Sequence, residues 1–326
     1  MSIPSSLRRN SGRSWTLPDR PPGFGDSILR AGRPGPVKRI LFACAHSVVD
    51  FSNGASVATL NVLEGLATGG FDCQAFCTAK LDLQTEVRFV DVVDAMGDPH
   101  QARPSVCGSQ RARVLYTRHH NVPITIIQLD STRHVPQRLE EVQTVLEFFQ
   151  KFLEAYCPDV MLTYGGDPIT LGMIAEAKRR GIAVVFALHN FGYTTARFFA
   201  NVDYCLVASD FARRHYHDKI GLDCQALPNR VDWDRVRVAS RNPRFVTFVN
   251  PCLEKGVYPF ARIAHALGRL RTDIPLLIVE SRGTKKNLGA CGLDLAAAGN
   301  LEIMAHTTDP RQFWGSGERS PLSIVV

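Results

Sequence analysis

Residues 245–283 constrain the fold of this chain more than any other stretch. The run Phe245 to Val249 is short, apolar and largely β-branched or aromatic, as a strand buried in a parallel sheet requires. A turn with Asn250, Pro251, Lys255 and Gly256 follows. Phe260, Ile263, Ala264, Ala266, Leu267 and Leu270 then recur at the spacing of a buried helical face. Asp273 and Pro275 stop that helix, and Pro275 to Val279 is a second apolar strand. The unit is β-loop-α-β, with a lysine just before the helix begins. Backbone N–H groups at a helix start and a nearby ammonium both favour bound phosphate. Lys255 is therefore a candidate anion ligand, against the plainer reading of a solvated lysine in an ordinary βαβ unit.

The same alternation runs through the preceding residues. Arg39 to Ala45 reads as a buried strand, and the loop His46 to Asn53 leads into Gly54-Ala55-Ser56. From Val57, the residues Leu60, Leu63, Leu66 and Ala67 mark a helix that ends at Gly69-Gly70, before a second strand from Phe71 to Thr78. Gly54 leaves room for a ligand to approach the backbone. No G-x-G-x-x-G occurs there, which argues against a dinucleotide cofactor. Residues 80–110 show no clear period. Arg113 to Tyr116 and Pro123 to Leu129 read as strands, of a hairpin or of an irregular excursion. His134 to Tyr156 and Ile169 to Arg180 read as helices, with Val160 to Thr163 a strand between them. Ile182 to Leu188 is almost wholly apolar and ends in His189-Asn190. Ligands of open α/β sheets sit at the carboxyl ends of strands. His189 is thus a functional candidate, set against a histidine that merely caps the strand. Val202 to Ala208 is a further strand, and Ser209 caps the helix that follows.

Strands and helices restart at 245 after a short polar break. Two doubly wound sheets joined by a linker is the simplest architecture. The second sheet has three plausible strands (245–249, 275–280, 300–304), and helices on both its faces are not expected before the chain ends.

Charge and composition exclude several function classes. The net charge of +7 is concentrated in residues 1–39, which hold eight basic and two acidic residues. The remainder is nearly neutral, so a basic nucleic-acid-binding face on the folded body is not expected. Residues 1–37, rich in Ser, Arg, Pro and Gly, read as a disordered tail suited at most to weak contact with an anionic membrane surface. No run approaches the ~20 apolar residues of a membrane span, and the N-terminus lacks the apolar core of a secretory signal. A cytoplasmic location is expected. The nine cysteines contain no C-x-x-C and fall partly in strand-like runs, as buried reduced thiols do. His119-His120 and His215-x-His217 lack carboxylate or cysteine company in the sequence, and no metal site is expected.

Five separated motifs, in order, resemble the retaining glycosyltransferases of family 4, the group 1 type with the GT-B fold. They are Asn53-Gly54-Ala55-Ser56, Ala187-Leu188-His189-Asn190, Val202 through Ser209, Leu227-Pro228-Asn229-Arg230-Val231-Asp232, and Val249 to Gly256. The resemblance implies an α/β, GT-B-like fold of two Rossmann-like doubly wound domains, the second incomplete. Its parts are a tail over 1–37, an acceptor-side domain over 38–235, a partial nucleotide-sugar-binding domain over 236–314, and a divergent tail over 315–326. It further implies transfer of a sugar from a nucleotide sugar to a hydroxyl of a glycan, lipid or small-molecule acceptor, with no cofactor and no metal. His189 would lie beside the reacting sugar. Lys255, Asn250, Arg282, Gly54 and Glu280 would bind the donor, and Asn190, Tyr193 and Ser56 would line the acceptor side. Two departures stand out. Asn250 occupies the place of a usual arginine, which Arg282 is positioned to replace, and no E-x7-E follows Phe313-Trp314. That gap opens a second expectation, a truncated and inactive remnant acting at most as a binding protein. A nucleotide-sugar epimerase of similar shape is a third.

Overall fold

The computed structural model describes residues 39–83, 85–240, 242–293, 299–307 and 309–315. The expected tail over 1–37 lies outside the described residues, as does all but the first residue of the expected tail over 315–326. Strands β1 (Arg39–His46), β2 (Asp72–Lys80), β3 (His100–Cys107), β4 (Gln110–His119), β5 (Val122–Ile127), β6 (Val160–Thr163), β7 (Ala183–Leu188), β8 (Tyr204–Val207) and β9 (Gln225–Ala226) form one sheet. Their order is β3-β4-β5-β2-β1-β6-β7-β8-β9. Strands β5, β2, β1, β6, β7, β8 and β9 pair in parallel, while β3 and β4 add an antiparallel margin. Residues 80–110, without a clear period in the sequence, supply a short helix and the outermost strand of that margin.

Helices α1 (Gly54–Thr68) and α2 (Phe89–Met96) cover one face of this sheet, and α3 (Leu139–Tyr156), α4 (Pro168–Arg179) and α5 (Asp210–Ile220) cover the other. Alternation along β1 shows why the sheet needs both layers. Ile40, Phe42 and Cys44 pack with Leu60 and Leu63 of α1, whereas Leu41, Ala43 and Ala45 pack with Val145, Phe149 and Met173 of α3 and α4. A strand buried on both sides must be apolar along its buried length, as β1 is from Ile40 to Ala45. Local chemistry starts each helix where the loops require it. Asn53 Oδ1 accepts from Ala55 N at 2.8 Å, Asp167 Oδ1 from Thr170 N at 3.0 Å ahead of Pro168, and Ser209 Oγ from Ala212 N at 3.2 Å.

The segment after β9 contains the short helix α6 (Trp233–Val236) and reaches a second, parallel sheet, β10-β11-β12. Its strands are β10 (Val246–Val249), β11 (Leu276–Val279) and β12 (Leu301–Met304), interleaved with α7 (Val257–Leu270) and α8 (Lys285–Gly289). Phe260 and Ala264 of α7 and Leu288 of α8 cover Phe248 and Ile278. The expectation that the opposite face lacks a cover is corrected. Phe313 of the final short helix α9 (Arg311–Trp314) packs there against Phe245, Leu277 and Val279. The described residues fall in one compact unit that contains both sheets. Among the described residues no helix is long and apolar enough to cross a membrane. The nine cysteines are all free thiols.

Candidate functional site

Two loops at the carboxyl ends of β10 and β11 build the candidate anion site. Asn250 sits at φ 59, a left-handed conformation that asparagine tolerates better than most residues. Its Oδ1 accepts from Gly283 N at 2.8 Å, tying the loop after β10 to the loop after β11. Gly283 is buried, and a Cβ there would meet Pro251 C at 2.3 Å. The crossing of two backbones is what requires glycine. This clamp ties the loop that carries Arg282 to the loop that carries Lys255, which ends a single 3-10 turn (Leu253–Lys255) ahead of α7. Burial pulls the Lys255 ammonium below its ordinary pKa, and the neighbouring Arg282 charge adds to the effect. Among the described residues the Lys255 amine has no ion-pair partner. Two cations held near each other, one of them desolvated, make a place where an anion is stabilised.

The first sheet contributes a carboxylate to the same place. Arg282 Nη1 forms an ion pair with Asp82 Oδ2, and Asn53 Nδ2 donates to that oxygen at 3.2 Å. Asp82 N donates to Asp50 Oδ2 at 2.7 Å. The loops after β1, β2 and β11 therefore meet at one point, with Gly54 at its margin, exposed and with open space where a Cβ would stand. Asp82 was not singled out from the sequence. The one signal was an acidic residue just past a strand end, and its partner lies 200 positions away.

The remaining predicted residues separate into those that face a crevice and those that support it. His189 lies beyond the end of β7, in a crevice shared with α1 and the loop Leu227 to Asn229. Desolvation lowers its pKa to about 4, so the ring is neutral near pH 7 although its outer edge is exposed. It meets the Tyr164 ring edge-on, with centroids 5.5 Å apart. Ser56, expected on the acceptor side, is wholly buried. Its hydroxyl donates to Ser47 O at 3.0 Å and shares a 2.8 Å hydrogen bond with Tyr164 Oη. Ser56 thus fixes the ring against which His189 rests. Tyr193, also expected there, is half-buried and packs its ring against Phe186, Phe198 and Phe199 at the margin of the core. Asn190 remains exposed, although its Oδ1 accepts from Gly192 N at 2.9 Å and its carbonyl from Tyr216 Oη. Asn250, expected as a donor contact, has its Oδ1 engaged by the backbone and is nearly fully buried. Glu280 Oε1 accepts from Lys285 N at 2.7 Å at the start of α8, so one of its oxygens is structural.

The structure is similar to that of TarM, with a TM-score of 0.55 at 10% sequence identity over 86% of this chain and 79% of that one. The fold is GT-B-like. The lipopolysaccharide outer core galactosyltransferase WaaB is also similar, with a TM-score of 0.49 at 13% identity over 84% of this chain and 70% of that one. So is the pneumococcal O-GlcNAc transferase GtfA, solved with UDP and GlcNAc, with a TM-score of 0.49 at 12% identity over 86% and 78%. No family model matches the chain, and no curated protein sequence does.

One further cluster departs from the sequence expectation. His119 and His120, read as lacking carboxylate company, have it in three dimensions. Glu64 of α1 lies 3.2 Å from His119 Nε2, and Asp98 meets His119 Nδ1.

Proposed function

We propose that this chain transfers a sugar from a nucleotide-diphosphate sugar to a hydroxyl acceptor. The observation that carries the reading is that Lys255 and Arg282 stand on the two adjoining loops after β10 and β11, with Arg282 reaching Asp82 of the first sheet, in a GT-B-like fold. A leaving diphosphate gains charge as the glycosidic bond breaks, and fixed cations at that point stabilise the transition state. In this scheme Lys255 and Arg282 hold the two phosphates, each contributing a charge-assisted contact of about 1.5–3 kcal/mol. Asp82, itself held by Asn53, pairs with Arg282 from the first sheet and is the partner that a diphosphate replaces. His189, neutral at working pH, lies beside the sugar and the attacking hydroxyl, where it accepts or donates one hydrogen bond without adding charge.

Membership of family 4, retention at the anomeric carbon and independence of a metal belong to the same proposal and rest on the order of the five motifs. The position of an E-x7-E after Trp314 falls largely on residues outside those described. Incubation of the purified chain with nucleotide sugars and a panel of hydroxyl acceptors tests the reading. Release of nucleoside diphosphate that is lost in Lys255→Met supports it, while chelator treatment and the anomeric configuration of the product test the finer statements. Donor binding without turnover would favour a binding remnant, and absence of donor binding would remove the proposal.

A further inference from the structure

The cluster around His119 is far from ordinary surface chemistry. Three elements of the first lobe converge on it: α1 through Glu64, the turn from β4 to β5 through His119 and His120, and the end of α2 through Asp98. Glu64 is buried and His119 nearly so. The Asp98 carboxylate faces Nδ1 of His119, so Nε2 is the ring nitrogen turned toward Glu64. Nε2 lies 3.2 Å from a Glu64 oxygen, and His120 Nε2 lies 3.9 Å from the same oxygen. Positive charge beside the Glu64 carboxylate comes from the side chain of Arg235. One guanidinium nitrogen lies 2.8 Å from Glu64 Oε2 and 2.7 Å from His120 Nε2.

The three ligand atoms all lie within 4.8 Å of one another. Tetrahedral zinc with bonds near 2.0–2.1 Å separates its ligands by about 3.3 Å, which the spacings of 3.2 and 3.9 Å bracket. Two imidazoles and one carboxylate suit zinc and its transition-metal neighbours, whereas magnesium and calcium call for oxygen ligands. A carboxylate on the far nitrogen of a ligating histidine is the usual supporting contact, and Asp98 is placed to make it.

We propose that Glu64, His119 and His120 form a divalent transition-metal site of the zinc class. Asp98 orients His119, and Arg235 is the group that the ion displaces. Arg235 has somewhere else to go: its side chain is 41% exposed, it stands on the four-residue helix α6, and Asp232 at 3.3 Å already offers it a second partner. Ion binding therefore gives up a tie between α1 and the segment joining the two sheets and reinforces the one between α1 and the β4–β5 turn. This inference does not depend on the glycosyl-transfer reading.

The test uses the tag-free full chain, stripped with chelator and kept reduced, titrated with Zn²⁺ by calorimetry and with Co²⁺ by absorption spectroscopy. One ion per chain is expected, with a tetrahedral cobalt spectrum free of thiolate charge-transfer bands. His119→Asn and His120→Asn should each abolish the stoichiometric site, and Asp98→Asn should weaken it about 10–100-fold. Arg235→Ala should bind more tightly than the native chain, a gain that misfolding cannot imitate. Circular dichroism and melting check that the loss variants fold. Absence of a stoichiometric ion, binding that survives both histidine substitutions, or unchanged affinity in Arg235→Ala would overturn the proposal in favour of a purely ionic cluster or of thiol binding elsewhere.

Discussion

Replacing Gly283 by alanine tests whether the two anion-binding loops must cross as closely as they do. An added Cβ would stand 2.3 Å from Pro251 C, 2.4 Å from Pro251 O and 2.5 Å from Cys252 N. Ordinary contact begins near 3.4 Å, so the loops must part by about 1 Å, which a close-packed interior does not absorb freely. All three obstacles are backbone atoms, and no change of rotamer relieves them. Overpacking of this kind costs about 1–3 kcal/mol. For a chain of this size that lowers the melting midpoint by about 2–5 °C. The same parting moves Arg282 relative to Lys255, and a displacement of about 1 Å within a site costs up to ~100-fold in rate. Scanning calorimetry reads the first effect, and calorimetric titration with a nucleoside diphosphate, together with turnover, reads the second. A variant that melts, binds and turns over like the native chain would refute the clamp. A variant that loses stability but keeps full affinity would show that the crossing supports the fold and not the site.

Three further expectations follow from the same geometry. Lys255→Met and Arg282→Met should each weaken nucleoside diphosphate binding by about 10–100-fold, the value of one charge-assisted contact; unchanged affinity in either, measured by titration calorimetry, removes that residue from the site. Asp82→Asn frees Arg282 from its carboxylate partner, so nucleoside diphosphate binding should tighten several-fold at low salt, while the melting midpoint moves little because a partly exposed ion pair contributes about 0–1 kcal/mol. His189 is held at a pKa of about 4, below the ~6.5 of an unfolded chain. The unfolded state therefore binds the proton first, and the contribution of this histidine to stability, complete above about pH 6.5, falls as pH drops toward 4. NMR titration assigned with His189→Gln checks this. A His189 resonance that titrates near pH 6.5 would refute the desolvated placement.

Much of the fold was legible in the residues. Ala183–Leu188 and Leu276–Val279 are apolar throughout because parallel strands are covered on both faces, and α3 shows its buried stripe through Val145, Phe149 and Leu153. The β3 strand was not legible: His100–Cys107 is an edge strand with Pro104 and mostly exposed or half-buried residues, and it gains its identity only by pairing with β4. Ser56 misleads for a local reason. It stands beside Gly54 in the sequence, yet two residues along a helix is more than half a turn, which rotates its hydroxyl from the crevice into the core. Tyr193 follows His189 closely along the chain, but the aromatic cluster around Phe186 draws its ring inward. Asn250 and Lys255 were correctly placed on one loop. That Asn250 acts on a backbone N–H could not be read, because Gly283 lies 33 residues away.

The sequence by itself determined the alternation of strand and helix, the doubly wound α/β class and the location of candidate chemistry at strand ends. Those follow from periodicity and from turn residues, which are local. The tertiary structure alone decided which charges meet. Asp82 with Arg282, and Glu64 and Asp98 with His119, are pairings across long sequence separations, and Coulombic and metal-ligand chemistry depends on distance in space and carries no periodic signature along the chain.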